Sequence, residues 1–190
     1  MCCMPAPRTR LLAVLAVAAA TALVGCAPAD ASPPPASATP TVEPVFASDE
    51  EALAAAIAAY EAYLALSQVI EEEGGHAPDR IRDVVTPTYA DELILEFEEL
   101  ASRSISIVGS SRIASAHIAQ WSVGAEDVVV DAYMCVDGSD TRILDSAGDD
   151  ITPASRETRV PLLVHFIGPA VQDRGLLVDS SELWRGDDFC

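Results

Sequence analysis

Glu126-Asp127-Val128-Val129-Val130-Asp131-Ala132-Tyr133-Met134-Cys135-Val136, closed by Asp137-Gly138-Ser139-Asp140, decides the fold. Eleven residues rich in β-branched side chains, with no Gly or Pro, read as a strand. Alternation puts Val128, Val130, Ala132, Met134 and Val136 on one face. Val129, Asp131, Tyr133 and Cys135 fall on the other. The first face belongs in a core, and Asp137–Asp140 is a turn.

Toward the C-terminus the period of two continues. Thr141–Leu144 is a short strand, and Ser146 to Asp150 is a turn. Thr158–Ile167 is a longer strand with Val160, Leu162, Val164 and Phe166 on one face; Pro161 inside it predicts a sheet edge or a bulge. Gly175–Trp184 closes the sheet. Toward the N-terminus, Arg112–Val123 and Ile105–Val108 read as strands joined by Gly109-Ser110-Ser111.

Before Ser104 the spacing becomes helical. Thr86-Pro87 reads as N-cap and first helical residue, followed by a stripe of Ala90, Leu93, Ile94, Phe97, Leu100 and Ala101. Pro78 to Val85 forms a helical turn. Ser48-Asp49-Glu50-Glu51 is a capping box. Leu53, Ile57, Tyr60, Leu64, Val69 and Ile70 follow it, and Gly74-Gly75 stops the helix. Glu71 to Glu73 oppose the dipole at that helix end, with solubility as their only evident use. Helices first and strands afterwards make an α+β domain, with N-terminal helices packed on one face of a curved antiparallel sheet.

The chain begins differently. Arg8 and Arg10 precede Leu11–Val24, an uncharged apolar run of 14 residues that ends in Gly25-Cys26. A membrane span needs roughly 20 residues, so the run reads as a secretory signal. Leu23-Val24-Gly25-Cys26 resembles the lipobox of bacterial lipoproteins. That resemblance implies cleavage after Gly25, diacylglycerol on the Cys26 thiol, and anchoring on the extracytoplasmic side of the cell membrane. The expected organisation is a signal peptide over 1–25, a lipidated cysteine and linker over 26–47, and one domain over 48–190. The linker, Ala27 to Ala47, is Ala, Pro, Ser and Thr-rich and includes Pro33-Pro34-Pro35. Extended at ~3.1 Å per residue, it reaches ~60 Å.

Loss of Arg8 and Arg10 with the signal takes the formal net charge from −19 to −21, and the chain has no lysine. So negative a body excludes nucleic acid as a partner and stands off anionic head groups.

Ala59-Tyr60-Glu61-Ala62-Tyr63-Leu64, Val85-Thr86-Pro87, Tyr133-Met134-Cys135-Val136-Asp137 and the segment from Trp184 to Cys190 carry a second resemblance. From Ser48 onward the chain resembles the nuclear transport factor two-like fold, also called SnoaL-like or cystatin-like, as found in small lipoproteins of high-GC Gram-positive bacteria. That fold implies a cone-shaped cavity between helices and sheet, which in enzymes holds an acid–base carboxylate or histidine. Asp131, Tyr133 and His117 are the candidates for such a pocket; the competing reading is a solvated sheet face with a half-buried tyrosine.

Cys135 and Cys190 remain once Cys26 is lipidated. Outside the cytoplasm they read as a disulfide, with free thiols as the alternative. His76 falls in a loop, and His117 and His165 in strands. These two with a carboxylate are a conceivable metal set, but solitary sheet histidines are the commoner case, so no metal and no cofactor are assigned. Asp137–Asp140 and Asp145–Asp150 lack calcium-loop spacing. Trp121 and Trp184 read as packing residues, and the tail after Trp184 as held by Cys190 alone.

No nucleophile-elbow, zinc-protease or phosphate-loop motif occurs. The leading expectation is a non-catalytic domain that binds a small ligand or an envelope protein. The alternative is a cavity enzyme of dehydratase, isomerase or hydrolase type. A third is an accessory subunit that dimerises through an open sheet face.

Overall fold

Ser48 starts the first helix as its sequence demands. Its hydroxyl accepts from the Glu51 N–H at 3.4 Å, and the Glu51 carboxylate reaches back to the Ala47 N–H at 2.7 Å. This computed structural model describes residues 45–170, 175–187 and 189–190. Cys26, the signal segment and all but the last three residues of the linker lie outside the described residues. Those last three already belong to the fold: Phe46 is buried and meets Trp121 edge-on at 5.7 Å. The folded body therefore begins ahead of Ser48.

Helix α1 spans Asp49–Glu72 and buries Ala52, Ala56, Tyr60, Ser67 and Ile70. The expected stripe is displaced: Leu53, Ile57 and Leu64 pack from the flanks, and Val69 is 41% exposed. Alanines beneath the helix let its backbone approach the sheet, and the larger side chains wedge in beside it. The same alanines give α1 the length and hydropathy of a membrane span, although it packs here as a helix of the domain. At its end Gly75 has φ +81°, and a Cβ there would stand 2.0 Å from the Phe97 carbonyl oxygen. Only glycine permits α1 to end that close to the next helix.

A 3-10 turn over Pro78–Asp83 leads to α2, Pro87–Arg103, which buries Ala90, Leu93 and Phe97. Ala101, expected in that stripe, is exposed. Thr86 holds the N-cap position, but its hydroxyl donates to Asp179 at 2.8 Å instead of capping the helix.

Six strands follow among the described residues: β1 Ser106–Val108, β2 Arg112–Val123, β3 Asp127–Asp137, β4 Arg142–Leu144, β5 Arg159–Pro169 and β6 Leu177–Leu183. The main sheet has the antiparallel order β2-β3-β5-β6. The helices cover one face of it. There Val128, Val130, Ala132, Met134, Val164, Phe166 and Val178 are buried against Ala52, Ala56, Tyr60 and Ile70. The fold is α+β, with the face assignment of β3 and β5 as the alternation requires.

β1 and β2 form where expected, on either side of Gly109-Ser110-Ser111, and β1 pairs with β4 in a separate two-stranded sheet. Gly109, at φ +93°, packs against the Asp140 carbonyl and turns the chain between the two sheets. One local expectation fails: Pro161 marks neither an edge nor a bulge, since β5 lies between β3 and β6 and its register with β3 runs through Pro161 without a shift. Its ring removes one donor beyond the Leu162–Leu183 pair, where Trp184 N still donates to Pro161 O at 2.8 Å. With half of that bonded pair missing, β6 ends at Leu183.

The sheet's two margins differ. β6 is covered by the segment before α2 through Thr86 N to Val178 O and Val178 N to Val84 O. β2 is the other margin. Its register with β3 shifts twice, leaving Ala114 and Ala119 as bulge residues.

Candidate functional site

Alternation along β3 sends Asp131 and Tyr133 away from the helices, and register brings His117 beside Tyr133 on the same outer face. The three candidates thus share a surface, but it is not the helix-facing cavity, where the core side chains stand. Two clefts among the described residues lie elsewhere. One of about 410 Å³ runs along Ala55, Ala59 and Ala62 beside Leu176, and one of about 690 Å³ lies between Thr86-Pro87 and Ile167–Pro169.

Cross-strand rows build the outer face. Gln120, Asp131 and His165 stand side by side on β2, β3 and β5, with Ser180 next on β6. Asp131 is only 6% exposed, and both its oxygens are used. Oδ2 accepts from Gln120 Nε2 at 2.7 Å, and Oδ1 lies 2.5 Å from His165 Nδ1. A carboxylate accepts only, so in the neutral imidazole the proton sits on Nδ1 and Nε2 is the acceptor. The imidazole, one-third exposed, is held in one orientation by a buried anion. Such a pair can accept a hydrogen bond from a ligand, or a proton from a substrate.

The next row is His117, Tyr133, Leu163 and Glu182. His117 is exposed and has no part in the Asp131 pair. Tyr133 is sandwiched by the C-terminal tail: its ring centre lies 4.7 Å from that of Trp184 and 5.7 Å from that of Phe189. Beyond it, Cys135 and Cys190 form a disulfide. The tail is therefore held by more than Cys190. Trp184 also donates to the Asp187 carbonyl at 3.1 Å, and Gly186 lies against the indole so closely that a Cβ would be 2.2 Å from it.

The far end of the face is ionic. The Asp137 carboxylate accepts from Ser139 N at 3.0 Å, Arg112 at 2.8 Å and Arg159 at 3.3 Å. These bonds, those from Ser139 first, hold its pKa down at about 2. Asp145 likewise accepts from two backbone N–H groups of its turn. Among the described residues no group of three or more His, Cys, Asp or Glu is placed to hold a metal ion.

Sequence reasoning named Asp131 but missed its partners. His165 has the right parity, but its alignment depends on the β3–β5 register, set across a 21-residue excursion (138–158) and not by a tight turn. Gln120 is three residues from His117, and only the bulge at Ala119 brings both to the outer face.

No family model matches the chain, and no curated protein matches it. Among solved structures it is similar to the intermembrane space region of chloroplast protein ARC6. The identity is 9% and the TM-score 0.49, over 69% of this chain and 95% of that one.

Proposed function

We propose that this is a lipid-anchored domain of the cell envelope that binds a protein or small ligand with the outer face of its sheet. The observation that carries the reading is the contrast between the two faces. The helix-facing side is filled by Met134, Phe166 and their neighbours, and the outer face presents an oriented imidazole beside the half-buried Leu163 and Ile167. Polar groups fixed among apolar ones suit recognition. The domain follows the nuclear transport factor two-like pattern, with the site on the side opposite its usual cavity. The Gly25-Cys26 sequence supports cleavage there and a diacylglycerol anchor on the outer leaflet, with the proline-rich linker as tether.

Photo-crosslinkers at His117 and Leu163 in the full chain, expressed in its native envelope, test the site. The expected result is a discrete adduct from both positions, reduced by His165→Ala, and none from Glu61 on the exposed side of α1. Adducts from Glu61 alone would place recognition on the helices. Cys26→Ala should move the protein out of the membrane fraction; unchanged retention would remove the anchor.

A second reading rests on the Asp131–His165 pair, which has the arrangement of a general base and its orienting carboxylate. In that case His165→Gln abolishes turnover while leaving crosslinking from His117 intact.

A further inference from the structure

We propose that Asp131, His165 and Ser180 form an acyl-transfer site, with Ser180 as the nucleophile toward a neutral carboxylic ester whose acyl chain lies in the cleft beside Ile167 and Leu177. This rests on His165 acting as a general base, the second reading of the outer face, and adds to it the nucleophile and the substrate class.

Ser180 reaches the outer face only through a bulge. Val178 is buried against the helices, and strict alternation would send Ser180 the same way. The register between β5 and β6 shifts between His165 and Phe166, so Val178 pairs with Phe166 while Ser180 pairs with His165. Asp179 is the extra residue. The Thr86 hydroxyl pins it at 2.8 Å, and the backbone bonds from Val84 and Thr86 hold Val178 beside it. Ser181 then turns inward, where its hydroxyl meets that of Tyr60 at 3.4 Å. A bulge re-aims a side chain, and here it brings a hydroxyl onto the row that already holds Asp131 and His165.

That row has acid, base and hydroxyl in order across β3, β5 and β6. Asp131 holds the imidazole by Nδ1, and Gln120 fixes the carboxylate from β2. Directly opposed side chains on neighbouring strands have Cβ atoms ~5 Å apart, which puts Ser180 within reach of the imidazole. Its hydroxyl makes no hydrogen bond among the described residues and can turn to Nε2 as the ester binds. Ser180 Oγ then adds to the ester carbonyl carbon while its proton passes to His165 Nε2. The tetrahedral adduct collapses by breaking the bond to the alcohol oxygen, which takes that proton from Nε2. Water repeats both steps on the acyl-serine, releasing the carboxylic acid and restoring the hydroxyl.

The cleft sets the substrate class. Ile167 and Leu177 are the next cross-strand pair on the outer face, ~7 Å along β5 from His165. Both line the cleft of about 690 Å³, together with Pro87 and Pro169. Such a wall takes a hydrocarbon chain. The exposed Glu126 and Asp127 at the same cleft repel an anionic chain end, which leaves a neutral acyl group.

Incubation of the full chain with an alkyl fluorophosphonate, which phosphonylates activated serines with loss of fluoride, tests the nucleophile. Peptide mass mapping should place one adduct on Ser180. It should form at least a hundredfold more slowly in His165→Gln and tenfold more slowly in Asp131→Asn, with circular dichroism unchanged, and be absent from Ser180→Ala. p-Nitrophenyl hexanoate should be hydrolysed at least tenfold faster than p-nitrophenyl acetate, the ratio falling severalfold in Leu177→Ala. No adduct on Ser180, or one formed equally fast in His165→Gln, overturns the proposal, and a hexanoate-to-acetate ratio near one overturns its acyl cleft. Hydrolysis kept in Ser180→Ala but lost in His165→Gln overturns it and leaves His165 as a base acting on water. Hydrolysis kept in both variants overturns it together with the second reading.

Discussion

Asp131 on the outer face and Glu71 in the helix seam are both carboxylates drawn away from water, and the structure treats them in opposite ways. Asp131 has a donor on each oxygen, supplied by the strands on either side. Glu71 has the carboxylates of Glu72 and Glu96 for neighbours and, among the described residues, no ion-pair partner. A sheet places residues from three strands in one row, so a buried charge finds lateral partners there. A seam between two acidic helices offers only what each helix carries. The difference teaches where this molecule is complete in itself and where it is short of a counterion.

The comparison breaks first at the covalent tie on the outer face. Removing the disulfide by Cys190→Ser should cost about 2–4 kcal/mol in urea unfolding, since it closes a long loop of the unfolded chain. Trp184 and Phe189 should lose their packing on Tyr133 in the same variant, read as a change in near-ultraviolet dichroism. Asp131→Ala should follow, at about 2 kcal/mol, because it leaves Gln120 and His165 unpaired. A loss below about 0.5 kcal/mol would mean that water replaces the carboxylate fully.

Glu71→Gln should act in the other direction. Its folded pKa lies above the unfolded value, so the wild-type domain binds the extra proton in the native state. The stability tied to that proton is present below pH ~4.5 and is lost as pH rises through about 7. The variant should therefore gain on the order of 1 kcal/mol at pH 8, with the gain vanishing at pH 4. Gln120→Ala should show the smallest effect, about 0.5–1 kcal/mol, since Gln120 is exposed and Asp131 keeps His165.

Much of the fold was legible in the chain. Strand alternation assigned the faces of β3 and β5, and the capping box located the start of α1. Leu53 and Ile57 stand at the flanks because residue size does not set depth: Ala52 and Ala56 are the fully buried positions of that helix face. The site was legible only in part. Asp131 stood out as a charge inside an apolar strand, and Cys135 as a thiol with one distant mate. The pairing of Asp131 with His165, and the facing of Glu71 by Glu96, are tertiary facts: each needs the register of two elements separated by a turn or an excursion that the local sequence does not encode.

The two bulge alanines of β2 have a consequence for behaviour in bulk. An uninterrupted twelve-residue strand with one free margin would be a template on which another chain could grow. Ala114 and Ala119 break the spacing of its donors and acceptors twice, so no straight strand can match the whole of it. The other margin, at Val178, is already occupied by the chain's own Val84–Thr86. Both margins of the main sheet are therefore poor templates for edge-to-edge growth.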